Sequence, residues 1–204
     1  MRKSLVVFLM SAGIIFSSGR AEARDESLIR VRIYDYAGLA PNTLAEAQRL
    51  AANFYIPIGL SIDWAPTFGP HGPKDRHHEA GRLQDFTINV LSRSMAARTT
   101  WAPDAIGTAV VAPTGGGSIA YVLYDRLKDA AAASGWPVKD LLAVVIAHEL
   151  AHLLLPPGSH SSDGLMRSGW DVTELRRMHL NNLAFTPESV ARIRERLTQM
   201  VSTQ

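Results

Sequence analysis

The spacing of apolar and polar residues changes several times along the chain, and each change predicts an element. From Ser27 to Tyr36 the two kinds alternate, with Leu28, Val31, Ile33 and Tyr34 among Arg30, Arg32 and Asp35 before Gly38 and Pro41, the pattern of a strand. Thr43-x-x-Glu46 then has the form of a capping box. Leu44, Ala47, Leu50, Ala51, Phe54 and Tyr55 follow at helical spacing until Pro57 and Gly59 stop the helix. Leu60 to Trp64 is a short strand, and a loop rich in Pro, Gly and His runs from Pro66 to Gly81 without periodicity. Three more strands are predicted at Phe86 to Leu91, Ile106 to Ala112 and Ile119 to Tyr124, the last two separated by Pro113-Thr114-Gly115-Gly116-Gly117. Asp125 to Ser134 favours helix. A second helix opens with Pro137 at its first position and runs to about Leu155, where Pro156 and Pro157 end it. From Leu141 to Ala147 this helix is apolar all round, so it is buried and central. A last helix is expected from about Thr186 to Met200, with Val190, Ile193 and Leu197 on its inner face. The order β, α, β, β, β, β followed by helices predicts an α+β domain with helices on a face of a sheet.

The composition fits a single globular domain: 204 residues, 47% hydrophobic and 20% charged, with no cysteine. Disorder, a collagen-like chain and a disulfide scaffold are excluded. The basic pI of about 9.1 comes from the start of the chain. Of 21 basic and 19 acidic residues, Arg2, Lys3, Arg20 and Glu22 fall in positions 1–23, which leaves 18 of each sign in the remainder. That balance gives no reason to expect a nucleic-acid or anionic-lipid partner. Positions 1–23 have the form of a secretory signal: Arg2-Lys3, an apolar stretch from Leu5 to Phe16, and Ala21-Glu22-Ala23 as an A-x-A end. The stretch is interrupted by Ser11 and Gly13 and is shorter than the ~20 residues a spanning helix needs. Cleavage after Ala23 and a secreted or periplasmic location are therefore expected, with no membrane association afterwards.

The chemistry is concentrated in the buried helix, at His148-Glu149-Leu150-Ala151-His152. Residues four apart share a helix face, so both imidazoles reach one ion, and Glu149 projects beside them toward a metal-bound water. Two histidines and a glutamate inside an apolar helix are costly unless they are paired or bound to metal. Catalytic Zn²⁺ takes three protein ligands and a water, so a third ligand is required. His160 is the candidate, because the Pro156-Pro157-Gly158 turn would bring the chain back under the helix end. Asp163 and Glu174 are the alternatives, with weaker turn contexts. Asp163-Gly164-Leu165-Met166 forms a further turn whose methionine would lie beneath the ion as an apolar floor.

With these residues in place the chain resembles the metzincin zinc peptidases, in particular those resembling matrix metalloproteinases. The resemblance rests on His148-Glu149-x-x-His152, His160-Ser161 and Leu165-Met166, and extends through the element order from about Leu28 to the end. It implies a mixed twisted sheet of about five strands with a backing helix, a buried active-site helix and a C-terminal helix. Zn²⁺ would be held by His148, His152 and His160, with Glu149 as catalytic base and Met166 as support. It also implies an extended peptide substrate added to a free sheet edge, for which Ile106 to Ala112 is the candidate. Two positions depart from the family pattern. Leu155 stands where H-E-x-x-H-x-x-G-x-x-H has its glycine, so His160 arrives two residues late, and Ser168 replaces the tyrosine some members carry two residues after the methionine.

The remaining features have plainer readings. His71, His77, His78 and Glu79 lie in the long loop, where nothing sets their spacing, and a solvated loop is favoured over a second metal site. Gly115-Gly116-Gly117 lacks the Lys and Ser/Thr of a phosphate loop and reads as a turn. Trp64, Trp101, Trp136 and Trp170 are core or rim residues, Trp170 also being placed to wall a pocket. The expected function is an exported zinc-dependent endopeptidase. The competing class is a secreted binding or scaffold protein whose zinc only pins helix to loop. A zinc hydrolase acting on a bond other than the peptide bond is a third option.

Overall fold

A computed structural model describes residues 27–67, 85–113, 115–177 and 179–202. The signal-like segment with its cleavage site, and the histidines of the long loop, lie outside them. Five strands, β1 (Ser27–Asp35), β2 (Leu60–Trp64), β3 (Asp85–Leu91), β4 (Gly107–Val111) and β5 (Gly117–Leu123), form one sheet in the order β2-β1-β3-β5-β4. The first four in that order are parallel neighbours and β4 runs antiparallel to β5, so the sheet is mixed, as expected. Parallel pairing of β1 and β2 needs a crossover, which helix α1 (Pro41–Asn53) supplies.

Alternation along the strands decides which face is covered. Ile29, Val31 and Ile33 of β1, Phe86, Ile88 and Val90 of β3, and Ala120 and Val122 of β5 are buried in one apolar cluster. Leu44, Ala47 and Ala51 of α1 belong to the same cluster. Helix α2 (Arg93–Ala96) is a single turn, and α3 (Tyr124–Ser134) follows β5 directly. Helix α4 (Val138–Leu154) is buried from Leu141 through Ala151 and packs on α1, β4 and β5. Helices α5 (Val172–Arg177) and α6 (Pro187–Ser202) complete the fold, with Ile193 and Leu197 of α6 in the core.

Two helix starts differ from the sequence expectation. Helix α1 begins at Pro41 with Ala40 as its cap and no side-chain capping bond, so Thr43 and Glu46 lie inside the helix rather than at its mouth. Proline wins because its fixed φ already suits the first turn and it has no N–H to satisfy. Similarly, Pro137 stands one residue before α4 as its cap rather than inside it. Helices α2 and α5 are four and six residues long, too short to show a period in the sequence.

Candidate metal centre

Helix α4 carries His148 and His152 one turn apart on the same face. The chain leaves α4 at Leu155 in an extended conformation (φ −106°, ψ 157°), as the residue before a proline must. Pro156 and Pro157 carry it outward, and Gly158 turns it back with φ +74°, a conformation that only glycine adopts at no cost. The reversal presents His160 to the other two. The turn thus falls after the two prolines, at Gly158.

The three Nε2 atoms converge. His152 Nε2 lies 3.0 Å from that of His148 and 3.1 Å from that of His160. All three ligating nitrogens stand within 4.8 Å of one another, and among the described residues no other group of three or more His, Cys, Asp or Glu does so. Tetrahedral ligands at about 2.0–2.1 Å from zinc stand roughly 3.3 Å apart, so the donor set and its spacing fit that ion. The tautomer of His148 follows from its other nitrogen. Nδ1 is 2.7 Å from the carbonyl oxygen of Leu165, which can only accept, so Nδ1 carries the proton and Nε2 presents a lone pair.

That carbonyl is held in turn by the loop that ends in Met166. Ser161 N–H donates to the Met166 carbonyl at 2.8 Å, and Leu165 N–H donates to Ala184 at 2.8 Å. Gly164 sits between them at φ +71°, with the Ala184 carbonyl where a side chain would begin. Met166 itself is fully buried in the core. Trp170 meets the His148 ring edge-on at 5.6 Å between centroids.

Burial grades across the site. His148 (8% exposed) and Glu149 (6%) are buried, while His152 is half-buried and His160 exposed, so the cluster opens to solvent on the His160 side. Desolvation holds the His148 imidazole down to about 4, against the raising effect of the Leu165 carbonyl. Desolvation likewise holds His152 down to about 3, with repulsion from the other two rings adding to it. Both are therefore neutral at physiological pH, the state in which imidazole binds metal. Burial pushes the Glu149 carboxyl up to about 8, and its Oε2 is enclosed with no hydrogen-bond partner. An orphaned buried carboxylate oxygen is expensive, and a cation with its bound water would relieve it.

The alternative third ligands are engaged elsewhere. Glu174 pairs with Arg167 and accepts the Asp171 N–H at 3.0 Å in a reciprocal cap at the start of α5. Asp163 accepts from Ser162 Oγ at 2.9 Å and stands outside the cluster. Two site neighbours escaped the sequence reading. Tyr55, fully buried, donates its hydroxyl to the Ala147 carbonyl at 2.6 Å and so braces α4 one residue before His148. Gly107, the first residue of β4, lies against the Glu149 side chain. A glycine inside a strand is the one sequence signal that points to such a close approach.

No family model matches the sequence, and no curated protein matches it. Solved structures do match the fold. The archaemetzincin of Methanopyrus kandleri is similar with a TM-score of 0.53 at 13% identity, over 87% of this chain and 99% of that one. A zinc-dependent peptidase of Methanocorpusculum labreanum has a TM-score of 0.51 at 13% identity, over 80% of this chain and 99% of that one. Metalloproteinase-II of Bacteroides fragilis has a TM-score of 0.53 at 12% identity, over 86% of this chain and 55% of that one. The fold of this chain is therefore that of zinc-dependent peptidases.

Proposed function

We propose that this chain is an exported zinc-dependent endopeptidase of metzincin type, with His148, His152 and His160 as zinc ligands and Glu149 as its general base. The observation that supports this most directly is the convergence of three imidazole Nε2 atoms beside a buried glutamate, on the fold of zinc-dependent peptidases. Bound there, zinc supplies Lewis acidity, making a water nucleophilic near neutral pH and polarising the peptide carbonyl. Glu149 takes a proton from the attacking water onto its carboxylate and hands it to the leaving amine nitrogen. His148 keeps its lone pair aimed inward because Leu165 fixes the tautomer, and Met166 closes the floor below. The peptide substrate lies along the free edge of β4, adding a strand by main-chain hydrogen bonds beside α4. Export rests on the signal-like segment at positions 1–23.

The test is zinc content by mass spectrometry, with hydrolysis of a fluorogenic peptide pool, on protein starting at Arg24. The parent and Glu149→Gln should both retain stoichiometric zinc, and His160→Ala should lose it. Glu149→Gln should lose about 10²- to 10⁴-fold in rate, the usual worth of a positioned base. A parent protein without zinc, or Glu149→Gln turning over at the parent's rate, overturns the reading.

A further inference from the structure

We infer that Gly107 is a positioning residue for Glu149: by having no side chain it leaves the carboxylate its place against the edge strand, and any other residue would displace it. A Cβ built on Gly107 would lie 2.8 Å from Glu149 Cγ and 2.9 Å from Cδ, and nearer still to Oε1. Real Cβ atoms do not approach other atoms so closely, and the obstruction covers the length of the side chain rather than its tip alone. Backbone conformation does not require the glycine, for Gly107 is not among the residues with positive φ. The demand is for space alone.

Neither backbone can give way. Gly107 is paired with Val122 of β5, and the preceding Ile106 carbonyl accepts the Leu123 N–H at 2.9 Å, which ties the start of β4 to the sheet. Glu149 is fixed by the middle of α4, whose neighbouring residues are all buried. The Glu149 side chain is the movable part, and a methyl at position 107 would turn it away about its own torsions. The three atoms nearest that methyl all belong to Glu149, and none to a histidine. The expected defect is therefore selective, with the metal kept and the base misplaced. The inference deepens the peptidase reading, but its central claim, a contact between Gly107 and Glu149, is testable without turnover.

The experiment compares Gly107→Ala with the parent in the full chain, by zinc content, by steady-state hydrolysis of the fluorogenic peptide pool, and by NMR of protein labelled with ¹³C at glutamate carboxyls. The Glu149 resonance is assigned by its loss in Glu149→Gln. In Gly107→Ala that resonance should move toward those of exposed glutamates while zinc remains stoichiometric. kcat should fall about 10²-fold with KM little changed, since misplacing a catalytic group by ~1 Å costs on that scale. A resonance that stays in place, or a kcat within about twofold of the parent, a change too small for that displacement, overturns the inference. If the parent hydrolyses nothing, the peptidase reading fails, and the resonance alone still decides whether Gly107 places Glu149. If Gly107→Ala does not fold, adding Glu149→Ala should restore folding by vacating the contested space, and failure of that double variant overturns the inference.

Discussion

At the scale of single residues, what the site needs divides into parts adjacent in sequence and parts that are not. His148, Glu149 and His152 are visible in the sequence because one turn of helix brings four-apart residues together, whatever the rest of the chain does. Tyr55 is invisible there, since its partner carbonyl at Ala147 is 92 positions away. Tyr55→Phe removes that donor and leaves the ring, including its packing on Phe185 at 5.1 Å, intact. It should lower stability by about 1 kcal/mol, the net worth of one buried hydrogen bond, in a urea titration. Because Ala147 precedes His148, the variant should also weaken zinc retention in a chelator competition, and unchanged stability would remove Tyr55 as a brace. Gly164 was legible as a turn residue, but its reason was not. At φ +71° and against the Ala184 carbonyl, Gly164→Ala meets both a strained backbone and a collision, and should cost more than the ~1 kcal/mol of a positive φ alone.

Among the elements, long ones were readable and junctions were not. The bounds expected for β1 to β5 fall within a residue or two of those observed, and β1 and β3 show why, with one face buried and the other half-exposed, the condition for a period of two. The apolar run in α4 signalled a central helix because 13 of its 17 residues are buried, leaving no amphipathic face to confuse the pattern. Helix α1 defeated the capping-box signal because its cap falls at Ala40, three residues before Thr43, where the proline's fixed φ outweighed an optional side-chain bond. The exit from α4 is the junction that matters most for chemistry. Leu155 is extended because Pro156 follows it, and the turn falls to Gly158. Gly158→Ala should therefore cost about 1 kcal/mol in stability for the strained φ, yet weaken metal affinity further by moving His160. A chelator titration of this variant beside one on an exposed face of α6, such as Thr198→Ala, would separate the two effects. Equal affinity in both would show that His160 reaches the cluster without help from the turn.

For the molecule as a whole, burying this cluster makes the metal-free protein's stability depend on pH from both sides. His148 and His152 resist protonation when folded, being held at about 4 and about 3, whereas the unfolded chain takes up those protons near 6.5. The unfolded state thus binds more protons as pH falls below about 6.5, and the stability that is full above that value is lost on the way to about 4. Glu149 works in the opposite sense. Folded, it keeps its proton up to about 8, while the unfolded carboxyl loses it near 4.5, so its contribution is full below 4.5 and declines as pH rises through 8. Between those limits two histidines act against one glutamate, and the histidines dominate until about half their unfolded population has lost its proton. The chelated protein should therefore be most stable near pH ~6.5, with an acid-side loss in which the two histidines are partly offset by the glutamate down to about 4.5, and an alkaline loss of similar slope set by the glutamate alone. Glu149→Gln should abolish the alkaline loss and steepen the acid one, because the amide has no proton to retain and no longer offsets the histidines. Thermal unfolding of both chelated proteins from pH 4 to 9 checks this, and an alkaline decline that survives in Glu149→Gln would place its origin outside the site. Adding zinc should change the shape of the curve as well as its height. The ion competes with protons for both imidazoles of the folded state, held at about 4 and about 3, so the stability it adds should grow as pH rises through those values and gain nothing further from these two imidazoles above about 5.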